Sequence, residues 1–181
     1  CWKAAPTIDQ LLAELPKDLR VVSKYLVIHG PPALPPALAV CAADRQGKYA
    51  EMKKLLWSRL FDASGKMLQD QLAPENMAKL AGEAGLDLAK FEAEFKGASC
   101  QEWVKRSQEN LRAVGTSGTP SFYVNGRHIG GALPIEEFRK IIAEEMAKAD
   151  KAIAAGTKAS EYYAKMVVEK GEKKVKRPFE E

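Results

Sequence analysis

The segment GTPSFYVNGRHI, residues 118–129, constrains the fold more than any other part of the chain. Two short runs rich in β-branched and aromatic residues flank Asn125-Gly126, which is the strongest short-range signal for a hairpin. Pro120 stands directly before the first run, and proline cannot donate to a sheet ladder. The segment therefore predicts a hairpin whose first strand begins at a Thr-Pro step. The stretch PIEEFRKIIAEEM then predicts a helix.

Apolar periodicity predicts the remaining elements. A strand is expected at 20–29 (RVVSKYLVIH), which is β-branched and aromatic. Helices are expected at 3–15, at 37–61 with a split at Gly47, at 74–84, 87–95 and 99–113, and at 159–169, where Tyr162, Tyr163, Met166 and Val167 would be buried. This order indicates a mixed sheet with helices on both faces, and an insertion of helices at one edge. A three-stranded sheet would be thin, and a further strand before Cys1 would complete it.

Length and charge exclude several classes of protein. The 181 residues are 46% apolar and 29% charged, which is typical of one soluble globular domain. No stretch of these residues approaches the roughly 20 apolar residues of a membrane span, and no secretion signal is expected among them. The net charge of +4 is mild, and around residues 171–181 acids are interspersed among the bases. That pattern predicts a solvated tail or linker, and argues against a nucleic-acid or membrane site.

Three cysteines, Cys1, Cys41 and Cys100, leave an odd count, which excludes a disulfide-dense scaffold. Cys41 and Cys100 both lie in the helical stretch. They either form a bridge that closes a loop of about 60 residues, or Cys41 is a small buried hydrophobe and Cys100 a free thiol. His29 and His128 have no carboxylate or cysteine at ligand spacing. No metal site is therefore predicted.

Three segments resemble the DsbA-like branch of the thioredoxin superfamily. They are VGTSGTPSFYVNGRHIGGALPIEEFRKII, ALAVCAADRQGKYAEMKKLLW and CWKAAPTIDQLLAEL. The resemblance implies an α/β thioredoxin-like fold with an all-helical insertion and an apparently missing first strand. It implies a first part of the thioredoxin-like domain at 1–33, the insertion at 34–114, and the second part at 115–170.

The resemblance also implies roles for Thr119 and Pro120. In that family the proline at this place is cis and lies next to the active site. The backbone of Thr119 would then be free to pair with an extended substrate peptide, as in strand addition. The alternative is an ordinary trans proline that ends a loop before an edge strand.

Cys1 matches the second cysteine of the family's Cys-x-x-Cys centre, which resolves the mixed disulfide. The nucleophilic cysteine would then precede residue 1, since no Cys-x-x-Cys occurs in these 181 residues. The chain would accordingly start after processing or be a fragment. Two other interpretations of Cys1 stay open: the lipid-modified first residue of a lipoprotein, or an incidental thiol on a redox-inactive relative.

The function that the resemblance implies is thiol-disulfide exchange on protein or peptide cysteines in a periplasmic or otherwise exported setting. A redox partner protein would complete the cycle, and no cofactor is implied. The chain by itself is expected to be inactive, because one of the two thiols is absent. The alternatives are a redox-inactive thioredoxin-fold binding module and a glutathione-dependent transferase or isomerase on the same fold.

Overall fold

The structure, a computed structural model, describes residues 1–171. The predicted charged tail therefore lies, except for Gly171, outside the described residues. The chain divides into two compact units. The helical unit comprises Trp2 and Ser23–Leu111, and the hairpin unit comprises Cys1, Lys3–Val22 and the chain from Arg112 onward.

The helical unit contains most of the predicted helices. Their bounds are Leu34–Asp44 (α2), Tyr49–Arg59 (α3), Pro74–Glu83 (α4), Leu88–Lys96 (α5) and Ala98–Ala113 (α6), the last of which runs two residues past the unit. The predicted split of 37–61 is confirmed, because Gly47 adopts a φ of +69° between α2 and α3. Prolines in the first turns of α2 and α4 explain where those helices begin.

Helix α2 forms the centre of the helical unit. Its residues from Ala37 to Ala43 are all buried, as expected for a helix covered on every side. Small alanine side chains let α3, α4 and α5 pack closely around it. A disulfide joins Cys41 of α2 to Cys100 of α6, with a Cα–Cα distance of 5.8 Å.

The hairpin unit contains a two-stranded antiparallel sheet, with strands Ser121–Val124 (β1) and Arg127–Gly130 (β2). Asn125 and Gly126 form the tight turn with φ angles of +46° and +89°, which confirms the predicted hairpin. Helix α1 (Ala5–Glu14), preceded by a 3-10 turn at Trp2–Ala4, and helix α7 (Ile135–Ala154) complete the unit's core. Its buried members are Leu11, Ile129, Phe138, Ile141 and Ile142.

The predicted strand at 20–29 is wrong. In the described structure these residues form no strand, and the sheet has two antiparallel strands rather than three in a mixed arrangement. A strand exists only through ladder bonds to a neighbour, and none of the described residues supplies one here. Val21 and Val22 are accordingly 44% and 59% exposed.

The helix predicted at 159–169 is present in altered form, and its predicted burial is wrong. A single α-helical turn, Ala159–Tyr162 (α8), continues as a π-helix, Tyr163–Glu169. The wider π turn moves side chains off the 3.6-residue period, so the apolar residues no longer share one face. Tyr163 is 61% exposed, and neither segment contains a buried residue.

Candidate thiol site

Cys1 is an exposed, free cysteine at the start of a helix. The backbone N–H of Ala4 donates to the carbonyl of Cys1 at 2.9 Å, which closes the 3-10 turn that leads into α1. Pro6 lies in the first turn of α1, where its missing N–H costs no helical hydrogen bond. The sequence around Cys1 therefore places its thiol at a helix N-terminus.

The charge around this helix start favours an anion. Neither the 3-10 turn nor the first turn of α1 contains an acidic side chain, and Lys3 adds a positive charge. The helix macrodipole contributes a further partial positive charge at this end. A thiolate, the reactive form of cysteine, is stabilised in such surroundings.

Trp2 is the one residue near the N-terminus that belongs to the helical unit. Its indole stacks on Phe61 with ring centroids 6.5 Å apart. It also lies so close to Gly65 that a Cβ there would be 2.9 Å from the indole. A side chain at position 65 would therefore collide with Trp2.

The loop that carries Gly65 is held by Asp62. The carboxylate accepts hydrogen bonds from the Ser64 N–H at 2.8 Å, the Ser64 hydroxyl at 2.6 Å and the Lys66 N–H at 3.0 Å. These bonds, the Ser64 hydroxyl foremost, hold the pKa of Asp62 below its usual value. Sequence reasoning missed this loop, although Asp-x-Ser-Gly is a recognisable turn pattern.

The peptide bond between Thr119 and Pro120 is cis. The carbonyl of Pro120 accepts a bond from the Gly131 N–H at 2.9 Å, and the Ser121 hydroxyl donates to the Gly118 carbonyl at 2.8 Å. Within residues 1–171, neither the N–H nor the carbonyl of Thr119 forms a backbone hydrogen bond. The bonds donated by Gly131 and Ser121 thus fix the loop around Thr119, while the backbone N–H and carbonyl of Thr119 stay unpaired.

The two faces of the hairpin differ. Phe122 and Ile129 are cross-strand partners on the core face, where Phe122 meets the ring of Phe138 edge-on at 5.0 Å. Tyr123 and His128 are partners on the opposite face, 5.1 Å apart. The hydroxyl groups of Tyr123 and the buried Thr116 lie 2.5 Å apart, a contact that sequence reasoning missed.

Cys1, Thr119 and Pro120 all belong to the hairpin unit. Cys41 and Cys100 belong to the helical unit and are bonded to each other, so neither is a free thiol.

The described residues contain neither a metal-binding cluster nor a membrane-spanning helix. Among residues 1–171, no group of three or more histidine, cysteine or acidic side chains is arranged to hold a metal ion. No helix in the same part of the chain is long and apolar enough to cross a membrane.

Comparison with known proteins assigns the fold. The family model described as DSBA-like thioredoxin domain matches residues 35–143, and the chain belongs to this family. A crystal structure of oxidoreductase DsbA from Xylella fastidiosa superposes with a TM-score of 0.62 at 22% identity, covering 84% of this chain and 81% of that one. The predicted thioredoxin-like fold with a helical insertion is therefore confirmed.

The curated relatives that the chain matches are much longer than the chain itself. The Na(+)/H(+) antiporter NhaA of Herminiimonas arsenicoxydans is 32% identical over 134 residues, which are 73% of this chain and 20% of the relative. The Na(+)/H(+) antiporter NhaA 3 of Salinispora tropica is 28% identical over 151 residues, 82% of this chain and 22% of the relative. The chain thus spans about a fifth of the length of the curated relatives that it matches.

Proposed function

We propose that the chain takes part in thiol-disulfide exchange on protein cysteines, with Cys1 as the resolving thiol. The observation that carries the proposal is that two groups suited to this reaction occur in the same unit, the hairpin unit. An exposed free thiol at a helix N-terminus shares this unit with the Thr119–Pro120 step, where the Thr119 backbone is unpaired. Membership of the DSBA-like thioredoxin domain family supports the same reaction class.

In this proposal Cys1 acts after a mixed disulfide has formed between the substrate and a second thiol. The Cys1 thiolate attacks the sulfur of that second thiol, a new disulfide forms, and the substrate sulfur leaves as a thiolate that takes a proton from solvent. Two thiols are oxidised to one disulfide while one substrate disulfide is reduced to two thiols. The reverse sequence oxidises the substrate.

Thr119 and Pro120 dock the substrate in this proposal. An extended peptide pairs with the free N–H and carbonyl of Thr119, as a strand added to a sheet edge does. Pro120 has no N–H that would compete for the peptide's carbonyl groups. The bonds to Gly131 and from Ser121 hold the loop in place, which lowers the entropic cost of docking.

The second thiol is not among the 181 residues, which contain no Cys-x-x-Cys. It is supplied either by a longer form of the chain or by another molecule. The Cys41–Cys100 disulfide favours an oxidising compartment such as the periplasm, since cytosolic thiols are kept reduced.

The test compares the 181-residue chain with a form extended by a strand that ends in Cys-x-x directly before Cys1. We expect the 181-residue chain to reduce insulin at the background rate and the extended form to reduce it measurably. Replacing Cys1 by Ser in the extended form should trap a mixed disulfide with the substrate, visible on a non-reducing gel. The extended form with Cys1 intact is the control and should not accumulate the mixed disulfide. Full turnover by the 181-residue chain, or by the Cys1→Ser form, would contradict the proposal.

A second candidate function is a thioredoxin-fold module of a membrane transport protein. The curated antiporters favour it, because the matched region is 28–32% identical yet makes up only about a fifth of their length. Reading the DNA upstream of the Cys1 codon separates the candidates. A strand followed by Cys-x-x supports the exchange reaction, hydrophobic spans support the transporter module, and the two together support both. If neither feature is found upstream, a redox-inactive binding module is the remaining candidate.

A further inference from the structure

The loop that presents Thr119 folds back along strand β1. Thr116, in this loop, is 6% exposed, and its hydroxyl lies 2.5 Å from the Tyr123 hydroxyl of β1. The Ser121 hydroxyl donates to the Gly118 carbonyl at 2.8 Å. Both contacts therefore join the loop before Thr119 to the strand that follows it.

The two contacts share one register. Thr116 lies three residues before the Thr119–Pro120 step, and Tyr123 lies three residues after it. The Gly118–Ser121 contact is centred on the same step, with one residue on each side. This is the pairing of two antiparallel segments, joined here by side-chain hydroxyl groups, and it places the Thr119–Pro120 step at the tip.

The ring of Tyr123 is held independently of the loop. Tyr123 alternates along β1 with Phe122 and Val124, which pack against the core of the hairpin unit, so its ring lies on the opposite face. There it faces the ring of His128, its cross-strand partner, with centroids 5.1 Å apart. The Tyr123 hydroxyl is therefore a point of attachment that the sheet supplies to the loop.

Burial makes the contact between the two hydroxyls costly to break. A buried polar group that loses its hydrogen-bond partner retains its full cost of desolvation. The loop is therefore most stable when Thr116 faces Tyr123, and this arrangement fixes where the backbone of Thr119 lies.

We propose that Thr116 and Tyr123 are positioning residues for the docking of a substrate peptide on Thr119. The hydroxyl pair holds the loop, and the loop holds the N–H and carbonyl of Thr119 where an extended peptide can pair with them. A loop that is ordered before binding does not have to be ordered by the substrate, so the pair lowers KM and leaves kcat unchanged. This inference rests on the proposed exchange reaction.

The first test removes one hydroxyl at a time. Tyr123→Phe keeps the ring against His128. In the extended form, with its strand and Cys-x-x before Cys1, we expect this change to raise KM for insulin about two- to tenfold, the range expected for one hydrogen bond, at constant kcat. Thr116→Val should have the same effect. Thr116→Ser retains a hydroxyl and should keep KM near that of the unsubstituted extended form.

A double variant separates positioning from stability. Thr116→Val combined with Tyr123→Phe leaves neither hydroxyl unpaired, so the midpoint of denaturant unfolding should return towards that of the unsubstituted chain. KM should stay raised, because the loop is still not attached to β1. An effect that acts through stability alone would restore KM together with the midpoint.

The helical unit offers a matched control. The hydroxyl groups of Ser23 and Tyr49 also lie 2.5 Å apart, but in the unit that does not contain Thr119. Tyr49→Phe removes the same kind of contact and should leave KM unchanged.

The position of the loop is measurable without the exchange reaction. In the 181-residue chain, the NMR order parameter of the Thr119 N–H should be near the rigid value of about 0.85. It should fall towards about 0.6 in Tyr123→Phe and in the double variant, because the loop has lost its attachment. The order parameter of Phe122, within β1, should stay the same.

Three results would overturn the inference: an unchanged order parameter at Thr119, an unchanged KM in Tyr123→Phe, or a KM that returns with stability in the double variant. Absence of turnover by the unsubstituted extended form would instead contradict the exchange reaction. The order parameter would still decide whether the hydroxyl pair positions Thr119.

Discussion

The two units of the chain are stabilised in different ways. Among the described residues, the helical unit buries a connected cluster of twenty side chains, against five in the hairpin unit, and it also has a disulfide. Ion pairs between elements occur in both units, as Arg139–Glu14 and Arg127–Glu144 in the hairpin unit and Arg59–Glu83 in the helical unit. A two-stranded sheet is marginal without a packed face, so the hairpin unit depends on α1 and α7. The residues with proposed chemistry thus lie in the unit with the smaller core, while the helical unit has a larger core of its own.

The largest expected effect comes from removing the disulfide. Replacing Cys41 and Cys100 by Ala opens a loop of 59 residues, and in the chain-entropy model this costs about 4 kcal/mol of unfolding free energy. We expect the loss to fall on the helical unit, as measured by denaturant unfolding with residue-resolved hydrogen exchange. An equal loss of protection in β1 and β2 would show that the two units unfold together.

A matched pair of core truncations sharpens the comparison. Ile142 in the hairpin unit and Leu80 in the helical unit are both 6% exposed, and either change to Ala should cost about 3 kcal/mol. Ile142→Ala should release the amides of α7 and the hairpin to rapid exchange, because the small core has few remaining contacts. Leu80→Ala should leave those amides protected. If the two substitutions give the same pattern of amide exchange, the conclusion that the two units are stabilised by separate cores is wrong.

The smallest expected effect is on how far the stability of the hairpin unit falls in acid. The hydrogen bond from Arg139 lowers the pKa of Glu14 in the folded state. The stabilisation is therefore present above the unfolded pKa of Glu14 and is lost as the pH falls through the lower folded pKa.

Glu14→Gln should reduce this acid-dependent loss in the hairpin unit, as measured by thermal unfolding between pH 6 and pH 2. Glu75→Gln is the control, because this exposed residue forms no ion pair among the described residues. A larger effect from the control would contradict the assignment to Glu14.

Local signals predicted much of the fold. Asn125-Gly126 dictated the hairpin, because few other dipeptides adopt two positive φ angles, and Gly47 marked the break between α2 and α3. Pro74 marked the start of α4. The start of α2 was predicted three residues too late, at 37, because α2 begins at Leu34 and has prolines inside its first turn. For the candidate site, the Thr119–Pro120 step was identified by its resemblance to a family rather than by periodicity.

Features that depend on distant partners could not be predicted. The composition of 20–29 is that of a strand, but strand formation requires a neighbour that local composition does not reveal. The Cys41–Cys100 pairing was one of two alternatives until the structure brought α2 and α6 together. The contact between Thr116 and Tyr123 depends on how the loop before Pro120 folds back.

The pairing of Cys41 with Cys100 has a practical consequence for spectroscopy. Because those two sulfurs are bonded to each other, a thiol-specific reagent has a single target in the oxidised chain, at Cys1. A maleimide dye, a nitroxide spin label or a mercury atom could be attached there with defined stoichiometry and without prior mutagenesis. Labelling of more than one position per chain would then report directly that the cross-link had been reduced.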